Sequence, residues 1–433
     1  MSLEHDLIDE YVDFASQSCD APMLYHLAMG YFLSSTILGR YATIVTSYKP
    51  KGIKPNLWLM LIGPSRIVRK STALELGEDI LKEIDESVLL PASFSPEALQ
   101  ESLSQMERGS VGAWVKDELG EFFRGLKKKD YMAGTREIFS MIYMGRGETR
   151  KLRKLQFKVP SGIFITCAGT LPTPPHFYLS EEDFTSGFLN RFILGYAESR
   201  DKRIPILHTN PTLSTIRDEI IVKYKKLSKI YSEASPVIIS FDSDSLQGLE
   251  DYDRLIEQEL IKIEKDFPES LWKSYLAESP NQLMKMSVNR SLSRIEDRKV
   301  QIIVVNREDF SKAYNDLQLF LKSAKQVIDE VQTSAQPRPV ETEERRINRI
   351  YSLIDSKSKT GASMSFLLLR SGLLKKDLMP ILVTLVEQDR VRAILMRSRD
   401  RGRKPLMFFT ANVAPQVIAG DVMSTSQLES MIK

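Results

Sequence analysis

The sequence predicts an α/β protein: a strand-loop-helix core with helical flanks, then a small unit of helices and a β-hairpin. Three stretches carry that expectation. Leu57-Trp58-Leu59-Met60-Leu61-Ile62 has the length of a buried strand. It stops at Gly63-Pro64-Ser65, ahead of Arg69-Lys70-Ser71-Thr72 and a helical Ala73-Leu74-Glu75-Leu76. Ser110 to Lys116 is a short apolar strand that ends in Asp117-Glu118. Residues 342–412 read as three helices and two strands joined by a strongly basic tip.

The first stretch follows the plan of a phosphate-binding loop. Backbone amides and the positive end of a helix dipole face an anion there. Gly63, Pro64, Ser65, Arg69, Lys70, Ser71 and Thr72 are the candidate nucleotide contacts. Lys70 reaches the outer phosphates, and the Ser71 hydroxyl holds Mg²⁺. The spacing departs from G-x-x-x-x-G-K-[ST]: Lys70 stands seven residues after Gly63 rather than six, and Arg69 replaces the second glycine. By itself the loop reads equally well as a strand-to-helix turn with a solvated Lys70. Asp117 supplies a second oxygen for Mg²⁺, and Glu118 can polarise an attacking water. Alone, that pair is also what the first turn of any helix favours. Its place, one strand-helix interval plus a short insertion after the loop, is what a parallel sheet requires.

The chain has 433 residues, enough for two or three domains. A net charge of +3 points to no partner, so any nucleic-acid signal has to be local. Cys19 and Cys167, the only cysteines, exclude a disulfide framework and suit a reducing cytoplasm. His5, His26, His176 and His208 are scattered and support no catalytic arrangement. Glu4, Asp6, Asp9 and Glu10 have the wrong sign for a signal peptide. Met23 to Leu38 is apolar but short and interrupted by His26, so it reads as a buried helix and no membrane is expected.

In chain order, residues 1–50 form a helical preface, with a Lys/Pro/Gly loop from Ser47 to Pro55. The core spans 51–205. Ser95 is an N-cap and Pro96 suits the first helical position. Arg146, Arg150, Lys151, Arg153 and Lys154 cluster in a glycine-hinged loop or hairpin, either solvated or aimed at a nucleic-acid backbone. Gly162 to Thr170 is a third buried strand whose polar residue, Thr166 or Thr170, can sense a γ-phosphate; Thr166 is the candidate taken here. Arg191 precedes another apolar strand, where an arginine can stabilise the phosphate on a neighbouring subunit or simply lie on the surface. Residues 206–332 form a helical lid, 333–341 a linker and 413–433 a tail. In the 342–412 unit, Lys375 and Lys376 open the third helix, and Arg399, Arg401, Arg403 and Lys404 fill the tip. This is the pattern of a winged helix that docks DNA or, alternatively, a protein.

The order of Pro55-Asn56-Leu57, Gly63-Pro64-Ser65, Arg69-Lys70-Ser71-Thr72, Ser93-Phe94-Ser95-Pro96-Glu97, Asp117-Glu118 and Gly187-Phe188-Leu189-Asn190-Arg191-Phe192 resembles a family of phage and plasmid P-loop ATPases of unknown function, related to primase-helicase C-terminal domains. The resemblance covers about residues 20–330. It implies a RecA-like or AAA+ core, ATP and Mg²⁺, and a ring-shaped homo-oligomer, with Arg66 to Arg69 departing from the family's glycines. The function expected is an ATP-dependent DNA helicase or translocase of a mobile genetic element. The hexamer is one candidate ring. A DNA-binding initiator with weak or absent turnover and a protein-remodelling ATPase are the alternatives.

Overall fold

Asp6 starts the first helix, α1 (Leu7–Ser18), by accepting the amides of Ile8 at 2.9 Å and Asp9 at 3.0 Å. The next, α2 (Met23–Ile37), is apolar on every side and buried on every side, as a core helix must be. The structure, a computed structural model, describes residues 6–46, 49–107, 109–128, 134–151, 156–205, 210–294, 301–335, 343–357, 360–371, 373, 375–396, 406–412 and 420–429. Among the described residues no helix is long and apolar enough to cross a membrane.

The helical preface ends sooner than expected. Strands β1 (Ala42–Thr46) and β2 (Lys49–Ile53) form an antiparallel hairpin. The β-branched run Thr43-Ile44-Val45 favours extended backbone, and β1 finds its other partner far along the chain. Then come β3 (Trp58–Gly63), α3 (Lys70–Asp85), α4 (Pro96–Ser104), β4 (Val111–Lys116), α5 (Leu119–Lys128) and α6 (Thr135–Tyr143). The Ser95 hydroxyl caps α4 by accepting the Ala98 amide at 3.2 Å. A two-stranded ribbon follows, β5 (Glu148–Lys151) and β6 (Gln156–Val159), then β7 (Phe164–Pro172), α7 (Glu181–Thr185) and β8 (Phe192–Tyr196). The remainder of this part is α8 (Thr212–Ala234), β9 (Val237–Phe241), α9 (Ser243–Asp266), α10 (Leu271–Leu276), α11 (Ser279–Ser293), β10 (Ile302–Val305) and α12 (Arg307–Ala335). Because α12 runs to Ala335, Thr333 to Ala335 are helical rather than linker.

The chain divides into two units, Met1–Gln336 and Pro337–Lys433. The first is mixed α/β, with two four-stranded sheets besides the β5–β6 ribbon among the described residues. In the central sheet the order is β4-β7-β3-β8 and every pairing is parallel. Gly63 lies opposite Pro172, and Trp58, at the start of β3, lies opposite Cys167 and Phe192. All four strands therefore point their C-terminal ends the same way. The second sheet, β10-β9-β1-β2, is parallel except for β2.

The central sheet is pinned by Trp58, fully buried, whose indole meets the rings of Tyr143 at 4.9 Å and Phe192 at 5.1 Å between centroids. A buried charge network joins the helical layer. The Arg290 guanidinium on α11 donates to Asp6 at 2.9 Å, Asp9 at 2.6 Å and Asp316 at 2.7 Å, and its Nε donates to Tyr31 Oη at 3.0 Å. It ties α1, α2, α11 and α12 together.

The second unit has its own core, with Ile350, Leu367, Leu378, Leu382 and Phe408 fully buried. It contains α13 (Glu343–Asp355), β11 (Ala362–Ser363), α14 (Met364–Ser371), α15 (Lys375–Glu387), β12 (Val391–Met396) and β13 (Leu406–Thr410). The expected tail is partly structured. Strand β14 (Gly420–Val422) pairs with β12, and α16 (Thr425–Glu429) buries Leu428 completely. The sheet order is β11-β13-β12-β14, antiparallel throughout.

Candidate functional site

The C-terminal ends of β3, β4 and β7 open into a cavity of about 280 Å³. Ser65, Arg66, Arg69, Lys70, Ser71, Thr72, Asp117, Glu118, Thr170 and Pro172 line it. The sheet order explains the convergence. β3 delivers the loop and α3, β4 delivers the acid pair, and β7 between them delivers Thr170.

Gly63 ends β3 where no side chain fits: a Cβ there would stand 2.5 Å from the Ala197 carbonyl and 2.6 Å from the Tyr25 hydroxyl. Tyr25 itself donates to the Ile62 carbonyl at 2.5 Å and holds the strand end in place. Beyond the turn, α3 begins at Lys70 with no side-chain cap. Its first-turn amides thus lack a side-chain acceptor at the cavity wall, the arrangement that attracts an anion. Four non-glycine residues among those described have positive φ, and three of them, Arg66 at 64°, Arg69 at 53° and Glu118 at 58°, line this cavity. Strained backbone gathered at one cleft is a mark of a functional site. Arg69 holds, in left-handed conformation, the place where a glycine is conformationally cheapest.

The polar geometry is closed on itself. Lys70, buried, donates to the Gly63 carbonyl at 2.7 Å. Burial pushes its ammonium below the usual lysine range, against the pull of Asp117 and Glu118. One carboxylate oxygen of Asp117 accepts both the Ser71 hydroxyl at 3.1 Å and the Thr170 hydroxyl at 2.5 Å. Thr170 in turn accepts the Glu118 amide at 3.0 Å. Glu118 is thereby held in its left-handed conformation with its exposed carboxylate at the cavity.

The donor set fits Mg²⁺ held jointly with phosphates. That ion uses one or two protein oxygens and fills its remaining positions with water and phosphate. Ser71 and Asp117 supply a hydroxyl and a carboxylate side by side. Among the described residues there is no group of three or more His, Cys, Asp or Glu to hold an ion without phosphate.

Thr166 is not part of this site. It is fully buried in β7, its hydroxyl 2.8 Å from that of Thr36 and donating to the Gly112 carbonyl at 3.4 Å. Thr170, four residues on, occupies the cavity. Arg191 stands elsewhere as well. It precedes β8, whose first residue pairs with Trp58, so it lies at the N-terminal end of the sheet, roughly 17 Å of strand from Gly63. There it lines a second cavity of about 250 Å³, with its Nη1 donating to the Gly187 carbonyl and its guanidinium 5.7 Å from the Tyr143 ring centroid.

Of the expected nucleic-acid contacts, Arg146 is exposed, and Arg150 and Lys151 lie on the β5 strand of the ribbon. Lys375 and Lys376 are exposed at the start of α15. Arg153, Lys154, Arg399, Arg401, Arg403 and Lys404 lie outside the described residues. Two participants escape sequence reasoning. Arg66 has no motif position, and Asp20, which pairs with the Arg69 guanidinium at 3.4 Å, is far away in the chain.

No model of a known protein family matches the chain, and no curated protein matches it.

Proposed function

We propose that the protein is an ATP-dependent DNA translocase or helicase of a mobile genetic element, working as a homo-oligomeric ring. Its first unit would be a RecA-like or AAA+ P-loop core and its second a winged helix. The observation that carries this reading is the meeting of Lys70, Ser71, Asp117, Glu118 and Thr170 in one cavity, at the same end of a parallel sheet. An exposed surface turn would not bury its lysine or tie its serine to a carboxylate two strands away.

In this reading Lys70 exchanges the Gly63 carbonyl for phosphate oxygens. Ser71 and Asp117 would hold Mg²⁺, which would supply neutralisation of the phosphate charge. Thr170 keeps the Asp117 oxygen in register and fixes the backbone of Glu118. Glu118 takes a proton from the attacking water. Arg191 lies too far away to act on its own chain's site, so it serves the site of a neighbour. The basic ribbon around Arg146 to Lys151 contacts the strand being moved, and the unit carrying Lys375 and Lys376 docks DNA.

One observation favours a second reading, a DNA-binding initiator with little turnover. Arg69 fills the glycine position and is tied to Asp20. Steady-state ATP hydrolysis by the full chain with and without DNA separates the two. The translocase hydrolyses ATP faster with DNA, and Lys70→Ala and Glu118→Gln abolish this. The initiator binds DNA through residues 337–433 without turnover.

A further inference from the structure

The second cavity holds more than Arg191. The Lys285 side chain on α11 is 1% exposed and forms its back wall, donating to the Asn56 carbonyl at 3.2 Å and to Asn56 Oδ1 at 3.0 Å. Its ammonium stands 3.8 Å from the Tyr143 ring centroid, the ring that Arg191 also faces. One tyrosine thus carries two cations, Lys285 at the back and half-buried Arg191 nearer solvent. Glu278 and Asn281 complete the polar wall, and Asn281 donates to Glu278. Two cations against one carboxylate leave the pocket with one net positive charge.

We propose that Lys285 and Arg191 together form a trans-acting phosphate receptor, and that its occupant is the terminal phosphate of a nucleotide held in the Lys70 cavity of a second copy of this chain. This rests on the function proposed above and extends it from one arginine to a two-cation pocket that includes α11. Three features favour this occupant. The two cavities sit at opposite ends of one parallel sheet, so head-to-tail stacking of copies brings one against the other, and such contacts form a ring where the rotation between copies closes. The volume of about 250 Å³ suits a compact phosphoryl group, and half-buried Arg191 stands nearer solvent than Lys285 to meet it first. Both cations are pre-set, Arg191 by the Gly187 carbonyl and Lys285 by Asn56, so little reorganisation is needed when charge develops.

The chemistry balances with water as the only other reactant. The water oxygen bonds to the γ-phosphorus while its proton passes to Glu118 of the chain holding the nucleotide. The bond from the γ-phosphorus to the bridging oxygen breaks, and its electron pair leaves with ADP. Arg191 and Lys285 of the other copy neutralise the negative charge on the transferring group.

The test uses the full chain and two readouts: sedimentation with ADP, Mg²⁺ and aluminium fluoride as the transition-state probe, and ATP affinity by fluorescence anisotropy. Wild type is expected to assemble with the probe. Lys285→Gln should need at least tenfold more protein to assemble, with ATP affinity within twofold of wild type, and Lys285→Arg should restore assembly. Should Lys285→Gln melt early, Asn281→Asp decides, because it cancels the net positive charge of the pocket from a half-buried position and is expected to give the same assembly defect. Normal assembly of Lys285→Gln, or of Asn281→Asp when it decides, overturns the proposal. So does a loss of DNA affinity without nucleotide while assembly stays normal, which would make nucleic acid the source of the phosphate. Failure of wild type to bind ATP at all instead defeats the Lys70 cavity reading itself, a result distinguishable from the others.

Discussion

The carboxylate of Asp20, nearly buried, grips the guanidinium of Arg69 at 3.4 Å while also pairing with Arg200. This fixes a left-handed arginine at the start of α3, beside the lysine that faces the cavity. Arg69→Gly therefore separates two effects. Relief of the left-handed backbone is worth about 1 kcal/mol. The pair it breaks is partly exposed and worth about as little. The melting temperature should change by no more than a few degrees. Loss of a phosphate contact should weaken ATP binding about tenfold. Titration of labelled ATP checks this, and tighter binding by the glycine variant would show Arg69 to be an obstacle.

Thr170 and Thr166 lie on one strand, yet only Thr170 touches Asp117. Thr170→Val removes the hydroxyl that positions Asp117 and accepts the Glu118 amide, so turnover should fall by about ten- to a hundredfold with the fold intact. Thr166→Val should cost about 1 kcal/mol of stability and leave turnover unchanged, because Thr36 keeps its bond to the Phe32 carbonyl. Rates measured on both variants decide which threonine serves the site.

Arg290→Met takes the buried guanidinium away from Asp6, Asp9 and Asp316 and leaves the Lys312 ammonium as the cation facing Asp6 and Asp9. Removing one member of a buried ion cluster costs about 3–5 kcal/mol. Thermal unfolding should start about 10 °C lower, while ATP affinity in the folded protein is retained. An unchanged melting curve would mean the cluster contributes little.

His26 is fully buried, with Nε2 3.2 Å from the Cys19 carbonyl and Nδ1 without a hydrogen-bond partner. Burial pushes its imidazole down to about 4. The unfolded chain takes up this proton near pH 6.5 and the native chain does not. The stability is therefore fully present above pH 6.5 and is lost as pH falls toward 4, on the order of 3 kcal/mol in all. Melting temperatures of His26→Gln between pH 7.5 and 4.5 should fall less steeply than those of wild type. Parallel slopes would remove His26 from the acid response.

The strand at Trp58, the helix after Lys70 and the cap at Ser95 were legible because each is a local pattern: an apolar run, a turn and a capping hydroxyl. The acid pair was legible because it closes a strand. The choice of threonine was not. Thr166 and Thr170 are four residues apart, so strand alternation puts both on one face. Only the strand's true end, at Pro172, sets Thr170 at the tip. The β1–β2 hairpin was missed because it directly follows helical residues and its pairing with Val237–Ile239 lies far along the chain. Left-handed Arg66 and Arg69 carry no sequence signal, since intrinsic preference assigns such backbone to glycine. The Asp20–Arg69 pair is long-range and equally silent.

The central claim is that the Lys70 cavity hydrolyses ATP in response to DNA. The most direct measurement is the rate of phosphate release by the full chain with Mg²⁺ and ATP, with and without single- and double-stranded DNA. The predicted result is turnover that rises with DNA and falls at least a hundredfold in both Lys70→Ala and Glu118→Gln. No DNA-stimulated release under any metal or temperature tried, or release that survives both substitutions, would contradict it.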